Sequence, residues 1–378
     1  GSEACQTCHA EKYEDWSNSG HPYKLMTPDE AKAIRPDMPV PEGYTWDDIQ
    51  YVIGGWGWKS RYIGLDGYII TKKKDGTPLE ANQYNWQDGS WSAYHAGEDK
   101  LVYNCQKCHN TGAAYAEGTH QDDLEGIEGT WEERGVGCEA CHGPGSEHVA
   151  QGGGKEVAIV VDKTSELCGL CHIRGDTSKI PASGGFIQHH EQYQEIENGG
   201  MSSLTCDTCH DPHKAVHNGA TNTEGKPGII KECEECHAEN ADALATSTMG
   251  KAGVLCNDCH MPKVTKSAIK VAEFVGDVKT HIFRIDTSAD AKMFTEDGKA
   301  ANGYLTLDFA CLGCHEDRDQ AWAASYTEGI HSLVKVVETP APTAPATTPA
   351  PKGGICGPTA VLLFAMLPAT LYGLKRRR

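Results

Sequence analysis

The pentapeptide Cys5-Gln6-Thr7-Cys8-His9 sets the terms for the whole chain, because its C-x-x-C-H pattern recurs at Cys105, Cys138, Cys168, Cys206, Cys233, Cys256 and Cys311. This is the attachment pattern of a c-type haem. Two thiols add across the porphyrin vinyl groups, and the adjoining histidine sits under the macrocycle as the proximal iron ligand. A single copy would equally suit half a zinc knuckle or a redox dithiol. Eight copies consume 16 of the 17 cysteines and leave none to pair as disulfides, which selects haem. The second thiols are then Cys8, Cys108, Cys141, Cys171, Cys209, Cys236, Cys259 and Cys314, and the cofactor complement is eight haem c. The proximal ligands are His9, His109, His142, His172, His210, His237, His260 and His315.

Composition points the same way. Gly is abundant at 42 residues, and the mean hydropathy is −0.50. So polar a chain has difficulty offsetting its conformational entropy with apolar burial. Covalently tied porphyrins would supply the missing apolar surface, so the expected fold is a multihaem cytochrome. Its core is built from stacked haems, wrapped thinly by mostly irregular chain with short α-helices and a small β insert. The 34 basic and 53 acidic residues give −19 before any haem propionate is counted. That balance excludes nucleic acid as a natural partner and suits cationic partners, metal ions or oxidised mineral surfaces. Covalent haem attachment implies an extracytoplasmic compartment. No signal peptide is visible, and Gly1-Ser2 reads as a processed or engineered start.

Along the chain, residues 1–36 hold the first haem motif. Residues 10–17 are expected to form a short helix ended by Ser19-Gly20, with Trp16 packing on porphyrin and His21 just beyond. The last motif repeats that layout in Trp322, Ser325 and His331. Residues 37–104 carry no motif; their β-prone runs, broken by Gly and by Asp75-Gly76, predict a Trp-rich β insert that shields haem edges or makes a subunit contact. Residues 105–337 carry the remaining seven motifs. Residues 338–352 form a Pro/Thr/Ala stalk. In the terminal segment 353–378, an uncharged run over 355–374 ends in Lys375-Arg376-Arg377-Arg378. That run is long enough to cross a hydrocarbon core of about 30 Å, and its basic end belongs on the cytoplasmic side.

A haem iron needs a sixth ligand or stays open for chemistry. Ten histidines remain outside the motifs: His21, His95, His120, His148, His189, His190, His213, His217, His281 and His331. Supply nearly matches the demand of eight irons, so full bis-histidine ligation is expected. His148 and His213 follow their own motifs so closely that each is expected to reach a neighbouring haem.

Several stretches resemble those of multihaem c-type cytochromes. They are the run from Gly135 through Cys138 and His142 to His148, the Gly185–Tyr193 stretch, and Asp-Pro-His at 211–213. Cys259-His260-Met261-Pro262-Lys263 and the Gly276–Phe283 stretch belong with them. The first-motif layout is similar to that of the hydroxylamine oxidoreductase and octahaem tetrathionate reductase relatives. The resemblance implies His21, His120, His148, His213, His281 and His331 as distal ligands, completed by His189 or His190 and by His95 or His217. The ammonia-forming nitrite reductases' Cys-x-x-Cys-Lys site is absent, and no crosslinking tyrosine or lysine ligand is identified, so the group's enzymatic chemistry is not implied. The Gly-Gly-Ile-Cys-Gly-Pro start of the tail resembles archaeal surface-sorting tails. By that resemblance Cys356 is a processing and lipid-attachment site; the alternative is a plain membrane span.

The functional expectation is an electron-transfer cytochrome with no catalytic residues. It would act outside the cell or at its surface, held by the tail or released after processing. It would exchange electrons with other redox proteins, other cytochromes or metal oxides, as a monomer or as a subunit of a self-associated filament. The alternative is a reductase of small nitrogen or sulfur oxyanions with one open haem.

Overall fold

The computed structural model describes residues 1–157, 159–216 and 228–331. His217, the stalk, Cys356 and the apolar run at 355–374 lie outside the described residues. Among the described residues no helix is long and apolar enough to cross a membrane.

The first half of the chain is organised by an antiparallel meander. Strands β1 (Leu25–Met26), β2 (Ile49–Gly54), β3 (Lys59–Gly64), β4 (Gln83–Asn85) and β5 (Ser90–Ser92) pair in sequence order. The tight β2–β3 connection needs glycine. Gly54 has φ 74° and Gly55 φ 102°, and a Cβ on Gly54 would stand 2.7 Å from the Lys59 carbonyl oxygen. Register then places Val52 opposite Tyr62 and Ile53 opposite Arg61.

Both faces of this sheet are apolar. Tyr51, Ile53 and Ile63 pack with Leu25, Tyr103, Ile127 and Trp131. Val52 and Tyr62 pack with Met26, Met38, Ile70 and Leu79 under Trp46, Trp86 and Trp91. Leu25, Val52, Tyr62 and Ile63 are fully buried, each such side chain contributing about 1.5–3 kcal/mol of transfer free energy. The β insert has a core of its own, and most of its tryptophans cover the sheet. Trp58 is different, since it lines the large cavity described below.

Strands β6 (Asn110–Thr111) and β7 (Glu133–Arg134) form a two-stranded ladder beside the second motif. Strands β8 (Ile180–Ser183) and β9 (Phe186–Gln188) make a hairpin through Gly184 and Gly185. β10 (Thr265–Lys266) joins parallel to β9, and β11 (Ala300–Ala301) antiparallel to β8. A third apolar cluster lies here: Ile187, Val264, Ile282 and Leu305 with Phe309. Phe186, Phe274 and Phe294 meet Phe309 edge-on at centroid distances of 6.2, 5.5 and 5.8 Å.

Elsewhere the chain is short helices and irregular links. The helix after the first motif spans Ala10–Ser17, where the sequence pattern expected it.

Candidate haem sites

Each C-x-x-C-H segment folds as one helical turn. In the first motif the His9 N–H donates to the Cys5 carbonyl at 2.9 Å. The same bond runs from His109 to Cys105, His172 to Cys168, His210 to Cys206, His237 to Cys233 and His315 to Cys311. The motifs at Cys138 and Cys256 lie in helices Cys138–His142 and Cys256–His260. A turn of this kind brings side chains three and four residues apart onto one face, so two cysteine sulfurs and an imidazole converge as thioether attachment requires; in the eighth motif Cys314 is disulfide-bonded in this structure.

These turns face a common cavity of about 3200 Å³, against roughly 300–1,000 Å³ for an ordinary ligand pocket. Seven of the eight motif histidines line it, all but His315, together with His21, His148, His190, His213, His281 and His331.

Four pairs of imidazoles stand at a repeated spacing. Ring centroids lie 6.5 Å apart for His9 and His148, and 6.1 Å apart for His142 and His213. They lie 6.1 Å apart for His210 and His281, and 5.7 Å for His260 and His331. A metal–imidazole bond of about 2 Å on each side, with each ring centre about 1 Å behind its nitrogen, places trans imidazoles roughly 6 Å apart. The spacing therefore fits one iron per pair.

The tautomers fit as well. Nδ1 of His109 donates to the Lys24 carbonyl, that of His142 to Val160, and that of His260 to Phe283. A carbonyl oxygen can only accept, so these rings carry their proton on Nδ1 and keep the Nε2 lone pair for iron. Ligation needs neutral imidazole. Burial pushes His21 down to about 3, and both His109 and His210 to about 4.

Several attachment turns lie against one another, the first against the third, the fourth against the fifth and the seventh against the eighth. Cys5 and Cys138 are electrostatic neighbours, as are Cys108 with Cys171 and Cys168 with Cys206. Cys141 is an electrostatic neighbour of Cys168 and Cys171, Cys209 of Cys236, Cys233 of Cys256, and Cys259 of Cys311. The motifs thus run in space in the order first, third, fourth, fifth, sixth, seventh, eighth, with the second beside the fourth.

The other sequence candidates stand apart. His21 is half-buried and within electrostatic reach of His172. His95 is exposed and held by Glu98 at 2.6 Å. His120 donates Nδ1 to the Ile127 carbonyl. His315 packs against Trp322 at 4.9 Å, with no imidazole at iron spacing among the described residues.

His109 also has no such imidazole partner among the described residues, and its surroundings are cationic. β3 directs Lys59 and Arg61 toward this region. Lys59 Nζ lies 3.3 Å from His189 Nε2 and donates to the Ser267 carbonyl. Burial pushes that amine down to about 7. The Arg61 guanidinium sits 3.4 Å over the Tyr94 ring. His190 meets His189 ring to ring at 4.0 Å and holds a left-handed φ of 73°, a conformation costly for a non-glycine residue.

Two buried acids complete the picture. Glu195 accepts from Thr265 Oγ1, Thr280 Oγ1 and the His281 N–H. Glu191 is fully buried, with Arg174 Nε 3.5 Å away. Burial, reinforced by the charge of Glu195, pushes Glu191 up to about 9. Sequence reading missed Lys59, Arg61, Glu191 and Glu195. The alternation of Lys59 and Arg61 on a strand was the available signal for that pair, while isolated acids in a polar chain gave none.

The family described as "Cytochrome c554 and c-prime" matches residues 4–39 and 78–143. The dissimilatory sulfite reductase MccA of Wolinella succinogenes is 23% identical, over 88% of this chain and 63% of its own length. The multihaem cytochrome MtrA of Shewanella baltica is 29% identical, over 34% of this chain and 36% of its own. The chain thus spans less than two thirds of either relative. Among solved structures, octahaem MccA superposes with a TM-score of 0.61 at 19% identity, covering 82% of this chain and 64% of its own. The outer cell wall cytochrome OcwA does so with 0.52 at 20% identity, covering 86% and 85%. The fold is that of the multihaem c-type cytochromes, and haem c is the cofactor such a chain carries.

Proposed function

We propose that the chain is an octahaem c-type cytochrome that conducts electrons along a continuous row of haems outside the cytoplasm. When bound, the haems supply one-electron chemistry, passed between neighbouring macrocycle edges. The observation that carries this reading is that attachment turns lie against one another, the first against the third, the fourth against the fifth and the seventh against the eighth. Each haem would be held by its two motif cysteines and its motif histidine. His148, His213, His281 and His331 would complete the coordination opposite His9, His142, His210 and His260, and His21 opposite His172. A polypeptide that already holds two imidazoles at iron spacing in four of these sites would suit a conduit. Partners are other redox proteins or extracellular acceptors, and anchorage by the tail, with or without processing at Cys356, belongs to the same reading. Reduction of the loaded chain by one donor, followed by complete reoxidation with an insoluble iron oxide, tests it. Retention of part of the haem complement in the reduced state would show a broken row.

A second reading has its own observation. The His109 site faces Lys59, Arg61 and the His189–His190 pair instead of one opposed imidazole, and these groups suit an anion. In this reading that site binds a small oxyanion, with Lys59 and Arg61 holding its charge. Sulfite is the first to try, given the activity of MccA, followed by nitrite. The test is whether sulfite perturbs one haem alone and is consumed with a reduced dye. Filament assembly is a third element of the proposal, checked by electron microscopy of the loaded chain.

A further inference from the structure

The pairing of His281 with His210 has a support that no sequence pattern marks. Glu195, on the helix Gln192–Asn198, is fully buried and is reached from two other segments. Thr265 Oγ1 of β10 donates to it at 3.1 Å, Thr280 Oγ1 at 3.0 Å, and the His281 N–H directly. These bonds fix the backbone from which the His281 ring projects. The ring itself has a buried Nδ1 with no hydrogen-bond partner, and Glu195 Oε2 lies 3.8 Å from it, just outside bonding reach. A buried donor left unpaired is costly, so a slight rotation of the ring toward the carboxylate is favoured once Nε2 is committed to a metal.

We propose that Glu195 is a positioning residue for the haem at Cys206, Cys209 and His210, orienting His281 and lowering that haem's reduction potential through a carboxylate–imidazole contact. The inference rests on the axial pairing of His210 and His281 proposed above. Ligating imidazoles commonly give their second N–H to such a partner, which fixes ring orientation and raises ligand basicity. A more basic ligand and a nearby negative charge both favour the ferric over the ferrous state. Placed within the row, this haem would be harder to reduce than it would be without Glu195.

The test uses the full chain loaded with haem, and a potentiometric titration at constant pH followed by visible and EPR spectra. In Glu195→Gln one midpoint is expected to rise while the others stay, by about tenfold in its reduction equilibrium, or about 59 mV for one electron. Glu195→Asp keeps the charge but withdraws it from the ring, and should move the same midpoint in the same direction. Loss of the haem at Cys206 and Cys209 alone, seen by peptide mass mapping, has the same meaning. An unchanged set of midpoints, a shift spread over all haems, or loss of every haem in both variants overturns the inference and makes Glu195 merely structural. His281→Met separates this from the underlying pairing: it should alter one low-spin signal, and if it alters none the pairing itself fails.

Discussion

The imidazoles of His142 and His213 face each other with ring centroids 6.1 Å apart and planes inclined by 10°. His142 ends the third motif and His213 follows the fifth, so one segment would ligate an iron held by another and tie the two together. His213→Ala is therefore expected to turn one haem high-spin in the EPR spectrum and leave the haem count by intact mass unchanged. An unaltered low-spin spectrum would show that His213 is not an axial ligand.

The second concerns the cationic site. A hydrogen bond to a charged group is worth about 1.5–3 kcal/mol, and 1.4 kcal/mol is a factor of ten in affinity. If the His109 site takes an oxyanion, Lys59→Met should weaken sulfite binding tenfold or more, with the low-spin signals untouched. Equal binding by the variant, followed spectroscopically, would remove Lys59 from the site.

A third follows from Glu191, whose buried carboxyl is pushed up to about 9. The unfolded chain releases that proton near the ordinary glutamate value of about 4.3. Between these values the folded protein holds one proton more than the unfolded, so stability falls as pH rises through the window, and the whole penalty is present above it. Glu191→Gln should remove this contribution. Thermal melts at pH 5 and pH 9 should show the variant gaining on the parent at the higher pH; equal losses would contradict it.

The fourth separates the protein core from the haem core. Ile127 is fully buried between the meander and Tyr103. Ile127→Ala should cost about 2–5 kcal/mol in chemical unfolding, while Leu65→Ala, at an exposed site, should stay within about 0.5 kcal/mol. Similar effects at both positions would mean that the insert's packing contributes little.

The multihaem cytochrome fold was legible in the sequence, since C-x-x-C-H states its chemistry in five residues. The helix at Ala10–Ser17 and the β character of 37–104 were legible from spacing and from β-branched and aromatic runs. What escaped was long-range. The approach of the first motif to the third, and the meeting of His260 with His331 while His315 packs on Trp322, depend on how distant segments fold together. The double-sided core of the insert was hidden because Trp56, Trp86 and Trp91 read equally well as haem covers. Lys59 and Glu195 meet residues 130 and 86 positions away, respectively, and no local pattern carries such a relation.

The order of the haems is the central claim, and anomalous diffraction at the iron edge from crystals of the loaded chain tests it most directly. Eight iron peaks are expected. Seven should trace an unbroken path through the first, third, fourth, fifth, sixth, seventh and eighth motifs, and the eighth peak, held at His109, should lie beside that of the fourth. Fewer than eight peaks, or a layer of protein separating the irons at His172 and His210, would contradict the account.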